Sequence, residues 1–295
     1  MAQTLRPSPT ALLNPCADPI FKTLFTDESN EAHQALTCFL SDILEKTVTD
    51  VVLQPNELAG EALGDKQAEF DINCKIDGKI ANVEMQGSNS QGDYGKRAEY
   101  HAAHVLNHYT PKGMKWQDIP QVFQISVLNF IFDVEEKSCV NYYCLRNEGG
   151  RVISRTLNVI FMELPKIAQL DDDINSLTPA EMWGKFFLYA SDEEKQDYII
   201  ELVKANRGIK MAFTVLKNVS QDELNWYHET RYWMHVSDEL SMKEAARREG
   251  LAEGKREKAV EDARNFLAKG INPEIIAECT GLPIKQISEL ASQHS

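Results

Sequence analysis

The segment Gln67 to Gln86 carries the residues whose types and spacing most suggest chemistry. Two strand-like runs flank Asp77-Gly78, the strongest short-range signal for a two-residue type I′ hairpin turn. Around such a turn Ile76 faces Lys79; further out Cys74 faces Ala81, Ile72 faces Val83 and Phe70 faces Met85, three wholly apolar pairs. On the opposite face Asn73 meets Asn82, Asp71 meets Glu84 and Glu69 meets Gln86. The clean separation of faces supports this register. Directly opposed like charges, with Cβ atoms about 4.5–5.5 Å apart, destabilise a strand pair. Asp71 and Glu84, with Glu69 on the same side and no basic residue opposite, therefore point to a divalent cation. Oxygen donors of this kind suit Mg²⁺, Mn²⁺ or Ca²⁺ rather than zinc. Gln86 follows Glu84 by two and points to the same side. The competing reading is a sheet face whose carboxylates simply meet water.

Other side chains could border such a site. Asp18 and Lys22 are four apart and share a helix face, a spacing that by itself reads as an ordinary surface ion pair. Arg97, beside Lys96 and after Tyr94, could clamp a phosphate bidentately or lie on a solvated basic helix end. His101, His104 and His108 fall on one helical face. Zinc would accept that spacing, but no cysteine or carboxylate completes the set, so the histidines read as partly buried or facing a ligand.

These residues need elements to hold them. Asn14 to Lys46 reads mostly as helix, with one apolar stripe at Phe21, Leu24 and Phe25. Leu36, Phe39, Leu40, Ile43 and Leu44 make a second stripe. Strands are expected at 48–53, 67–76, 79–86 and 122–132, with more at 140–145 and 157–164, and a loop at 54–66. A helix is expected over 94–109. From Thr178 the pattern turns helical: 181–189, 193–204, 209–216, a charged stretch at 237–269, and a last segment 273–290 broken at Thr280-Gly281. The domains expected are a loose N-terminus (1–13), an α/β core (14–165), a helical extension (166–236) and a C-terminal region (237–295).

Composition narrows the class. The 295 residues are 43% hydrophobic and 26% charged, a globular balance. The net charge of −14 argues against holding nucleic acid by charge alone, yet leaves room for an enzyme that recruits divalent cations. Six cysteines without a CxxC pair fit reduced thiols in a cytoplasm. No apolar run is long enough to cross a membrane, and the first ten residues suggest no secretory signal.

The ordered set Asn14-Pro15, Asp18, Phe21, Lys22, Leu24, Phe25, then Asp71, Val83-Glu84-Met85-Gln86, Tyr94, Arg97 and Tyr100 resembles the Rpn family of recombination-promoting nucleases and transposases, within the PD-(D/E)XK nuclease superfamily. The resemblance continues through 123–132, 157–165, Trp183 and Phe186-Phe187. It implies an αβββαβ nuclease core with a mixed sheet, followed by a helical C-terminal region. It implies Asp71 and Glu84 as metal ligands, Gln86 at the usual lysine position, and a helix bordering the site from which Asp18 or Lys22 contacts metal-bound water or phosphate. Glu69 and Arg97, read from their own positions, remain auxiliary or phosphate-binding candidates. The chemistry implied is Mg²⁺-dependent hydrolysis of DNA phosphodiester bonds. Neutral Gln86 can orient water only by hydrogen bonding, so a cation must carry more of the charge. Lys22, Lys66 or Lys79 could add positive charge.

Two alternatives stay open: a toxin-like defence nuclease restrained by its C-terminus, and a non-catalytic DNA-transaction protein that keeps the fold. The end of the chain resembles a helix-turn-helix pair. Glu274, Glu278 and Glu289 against Lys285 make a poor phosphate-facing surface, so homo-oligomerisation is the expected role.

Overall fold

Asp77 and Gly78 take the positive φ values that a type I′ turn demands, 45° and 75°. The computed structural model describes residues 5–58, 68–87 and 93–292, with backbone alone at 58, 68 and 69. In chain order come α1 (Asp18–Thr26), α2 (Asn30–Leu44), β1 (Val51–Leu53), β2 (Glu57–Leu58), β3 (Ala68–Glu69), β4 (Ile72–Ile76), β5 (Lys79–Gln86) and α3 (Tyr94–His108). They are followed by β6 (Val122–Leu128), β7 (Val140–Arg146), β8 (Val152–Glu163), α4 (Leu164–Ile167), α5 (Pro179–Tyr189), α6 (Gln196–Ala205) and α7 (Arg207–Val219). The last helices are α8 (Glu223–Ala268), α9 (Pro273–Thr280) and α10 (Ile284–Ser292).

Six strands form one mixed sheet in the order β1-β4-β5-β6-β8-β7, and β2 pairs separately with β3. β5–β6 and β6–β8 are parallel and the other pairs antiparallel. A parallel neighbour requires a crossover, and α3 lies within the one that joins β5 to β6. The result is an α/β fold with a mixed sheet, followed by a helical C-terminal region.

Alternation in the hairpin sorts the two faces. Ile72, Cys74, Ala81, Val83 and Met85 enter the main core, where Phe21, Phe25, Phe39, Trp183 and Phe187 of α1, α2 and α5 pack in edge-to-face and tilted pairs. Each such ring contributes roughly 1.5–3 kcal/mol by burial. The Trp183 indole N–H donates to Asp42 at 2.8 Å, which satisfies the one polar atom it carries inward. α3 covers the opposite face through Tyr94, Ala98 and Val105.

Several boundaries differ from the sequence reading for local reasons. β1 starts at Val51 because the amides of Thr49 and Asp50 donate to the Asp77 carboxylate instead of to a ladder. β6 stops at Leu128, and Phe130 and Phe132 continue as a loop packed near α3. α8 begins at Glu223, where the sequence pattern starts a helix only at Ser237.

The chain divides into two compact units, 1–236 and 237–295. Within the second, Ala263, Ile276, Leu282, Ile287 and Leu290 form a small core, and Gly281 at φ 69° ends α9. Among the described residues no helix is long and apolar enough to cross a membrane.

Candidate active site

The β4–β5 ladder ends three pairs earlier than alternation suggests. Its last pair is Ile72 with Val83, so Asp71 does not face Glu84 as a cross-strand partner. Asp71 lies in a bend that the Asn56 side chain fixes by donating to the Asp71 carbonyl at 3.0 Å, while the Phe70 amide donates to the Asn56 carbonyl. The bend also turns Phe70 away from the expected core face. It packs with Ile80, Val105 and Val122 beneath α3. Glu69 pairs through its backbone with Glu57, not with Gln86. Its side chain and Lys66 lie outside the described residues.

From the bend, the Asp71 carboxylate accepts the Met85 amide at 2.7 Å and shares a hydrogen bond with Asp18 at the start of α1. Two carboxyl groups can share a hydrogen bond only if one is protonated. Burial first, then the charge of Asp18, pushes Asp71 up to about 9; the Met85 N–H opposes this and Glu84 adds to it. Structure thus adds Asp18 to the acids as a direct neighbour of Asp71.

Glu84 is 4% exposed, on the face covered by α3. The Tyr94 hydroxyl donates to one of its oxygens at 3.1 Å, and His101 Nδ1 lies 2.7 Å from the other. An ionised carboxylate only accepts, which assigns the proton to Nδ1. Burial foremost, then the Glu84 charge, raises the Tyr94 phenol. The Phe70 ring meets His101 edge-on at 5.4 Å between centroids. His104 stacks on Tyr100 and His108 lies against Tyr109, so the three histidines do not converge on one ion.

Gln86, half-buried, ends β5 on the same side as Glu84, and its carbonyl accepts the Asn129 amide at 2.9 Å. Lys22 is half-buried one turn beyond Asp18. Arg97 is exposed on α3, and its charge reaches Tyr94. Lys79 sits at the hairpin end, where it favours the ionised form of Asp77. Sequence reading missed Asn56, the pairing of Glu84 with His101 and Tyr94, and Tyr232. The Tyr232 hydroxyl accepts the Asp18 amide, and its burial, with the charge of Asp18 next, pushes it up to about 12.

Among the described residues no three His, Cys, Asp or Glu side chains are arranged to hold one metal ion together. The donors nevertheless suit a hard cation. Mg²⁺ commonly takes one or two carboxylates and keeps several waters. Asp71 beside Asp18 is an acid pair that needs a positive partner, now supplied by a proton, and Glu84 adds negative charge nearby.

A family model described as PD-(D/E)XK nuclease family transposase matches residues 15–246. No curated protein and no solved structure matches the chain.

Proposed function

We propose that this chain, which belongs to the PD-(D/E)XK nuclease family transposases, is a Mg²⁺-dependent DNA endonuclease acting in recombination- or transposition-like processes. The observation that carries this reading is the Asp18–Asp71 pair, two acids in hydrogen-bond contact, at the end of the hairpin that also bears Glu84 and Gln86. PD-(D/E)XK nucleases generally use divalent metals.

Asp71 and Glu84 would hold the ion through oxygens left with free lone pairs after the Met85, Tyr94 and His101 bonds. Bound there, a divalent cation supplies a Lewis acid for the phosphate and lowers the pKa of water. The protein's own contributions are positional. Met85 N–H and Asp18 fix the Asp71 carboxyl, Tyr94 and His101 fix Glu84, and Gln86 orients the attacking water through its amide. Arg97 and Lys22 bring positive charge to the DNA backbone, which the acidic chain otherwise repels. All six cysteines are free thiols, in keeping with a reducing cytoplasm. Exposed Ile275 and Ile284 of the second unit support self-association through the C-terminal region.

Supercoiled plasmid incubated with Mg²⁺ or with EDTA tests this reading. Nicking that requires the cation, and that Asp71→Asn and Glu84→Gln both abolish, is the expected result. Absence of nicking by the wild type with Mg²⁺ or Mn²⁺ would leave a DNA-transaction protein that keeps the fold.

A further inference from the structure

Tyr232 belongs to α8, far along the chain from every acid of the hairpin, yet it reaches the same spot. A series of contacts ties this end of the chain to residues 13–18. The Leu13 amide donates to the Ser220 hydroxyl at 3.0 Å, the Asn14 amide to Glu229 at 2.6 Å, and the Asp18 amide to the Tyr232 hydroxyl. Glu229 and Tyr232 are three apart and so lie on one face of α8. The first turns of α8 therefore set where α1 begins, and with it the Asp18 carboxyl.

The same hydroxyl lies hard against the end of β5. A Cβ built on Gly87 would sit 2.8 Å from Tyr232 Oη and 4.0 Å from Cζ. Gly87 follows Gln86 directly, and at that position any other residue would press on the phenol oxygen. The hydroxyl is thus wedged between the two backbone points that carry Asp18 and Gln86. The aromatic ring itself packs against the main core, so the ring and the hydroxyl have separable roles.

We propose that Tyr232 is a positioning residue of the carboxylate site: its hydroxyl, seated between the Asp18 amide and Gly87, holds Asp18 against Asp71 and sets the Gln86–Gly87 end of β5. The α/β core is then incomplete without the start of α8. Its activity readout rests on the nuclease reading above; its structural readout does not.

Tyr232→Phe keeps the ring and removes only the hydroxyl. Loss of a group that orients a ligand typically costs 10–100-fold in metal affinity or activity. The expected result is a fall in kcat for plasmid nicking of about 10–100-fold, with a rise in the Mn²⁺ concentration needed for half-maximal thermal stabilisation. Gly87→Ala should give a similar defect in the wild-type background. Combined with Tyr232→Phe it should add almost nothing, because the nearest ring atom then lies at 4.0 Å, an ordinary contact. The melting temperatures of the four proteins without metal test that cycle independently of any cleavage. If the wild type does not nick DNA but the melting cycle is non-additive, the nuclease reading falls and the wedge stands. Unchanged nicking and Mn²⁺ response in Tyr232→Phe, or an equal Gly87→Ala cost in both backgrounds, would overturn the proposal.

Discussion

Replacing Asp71 by Asn removes an ionisable group while keeping both of its hydrogen bonds. The amide oxygen can accept the Met85 N–H and the amide nitrogen can donate to Asp18, as the protonated acid does. The folded protein holds a proton on Asp71 up to about pH 9, whereas the unfolded chain releases it near the ordinary value of 3.8. Between those limits the native state binds more protons than the unfolded state, so stability falls as pH rises. One proton gives a slope of about 1.4 kcal/mol per pH unit, or about 4 kcal/mol of wild-type stability lost from pH 5 to pH 8. Asp71→Asn should lack this contribution. Burial of Glu229 raises that group too, but it is common to both proteins and cancels in their difference. Urea unfolding at several pH values, in EDTA, measures the gap directly. Asp71→Asn should gain steadily on the wild type from pH 5 to pH 8 and exceed it at pH 8. Saturating Mg²⁺ should then narrow the gap by stabilising only the wild type. A gap that does not change with pH, or a variant less stable throughout, would refute the shared-proton argument and make the ionised Asp71 a structural hydrogen-bond acceptor.

Gln86→Lys restores the commoner superfamily residue, and nicking assays with Mg²⁺ and Mn²⁺ should show altered metal preference with activity retained; inactivity matching Asp71→Ala would reveal an additional hydrogen bond that only glutamine makes. Ending the chain near residue 236 removes the second compact unit, and light scattering should then report a smaller species than the full chain; an unchanged assembly state would place self-association elsewhere. Gly208→Ala would drive a Cβ to 2.4 Å from Cys38 Cβ and 2.8 Å from Trp183, so chemical denaturation should show a loss of about 1–3 kcal/mol, and a neutral result would mean that α7 shifts freely.

The hairpin faces were legible because both signals are local: strict alternation and an Asp-Gly turn. Ile72, Cys74, Ala81 and Val83 reach the core for that reason. Alternation fails at Phe70 and Asp71, where Asn56, fifteen residues upstream, holds a bend that no periodicity encodes. Asp18 stood out by type and helical spacing, but its hydrogen bond to Asp71 is a tertiary fact. The α3 histidines read from sequence as partly buried rather than as a metal set, and His101 is indeed buried against Glu84, while the partners of His101, His104 and His108 are tertiary facts that spacing does not encode. Tyr232 gave no signal because its partners are Asp18 and Gly87, distant in sequence, and the charged stretch after it masked where α8 begins.

The most direct measurement of the central claim is anomalous diffraction from crystals of the full chain soaked in Mn²⁺. One peak within coordinating distance of both the Asp71 and Glu84 carboxylates, with Asp18 drawn off Asp71 or joined to the ion through water, is the predicted result. Saturating Mn²⁺ that leaves the Asp18–Asp71 hydrogen bond and the His101–Glu84 contact intact, with no ion between the two carboxylates, would contradict it.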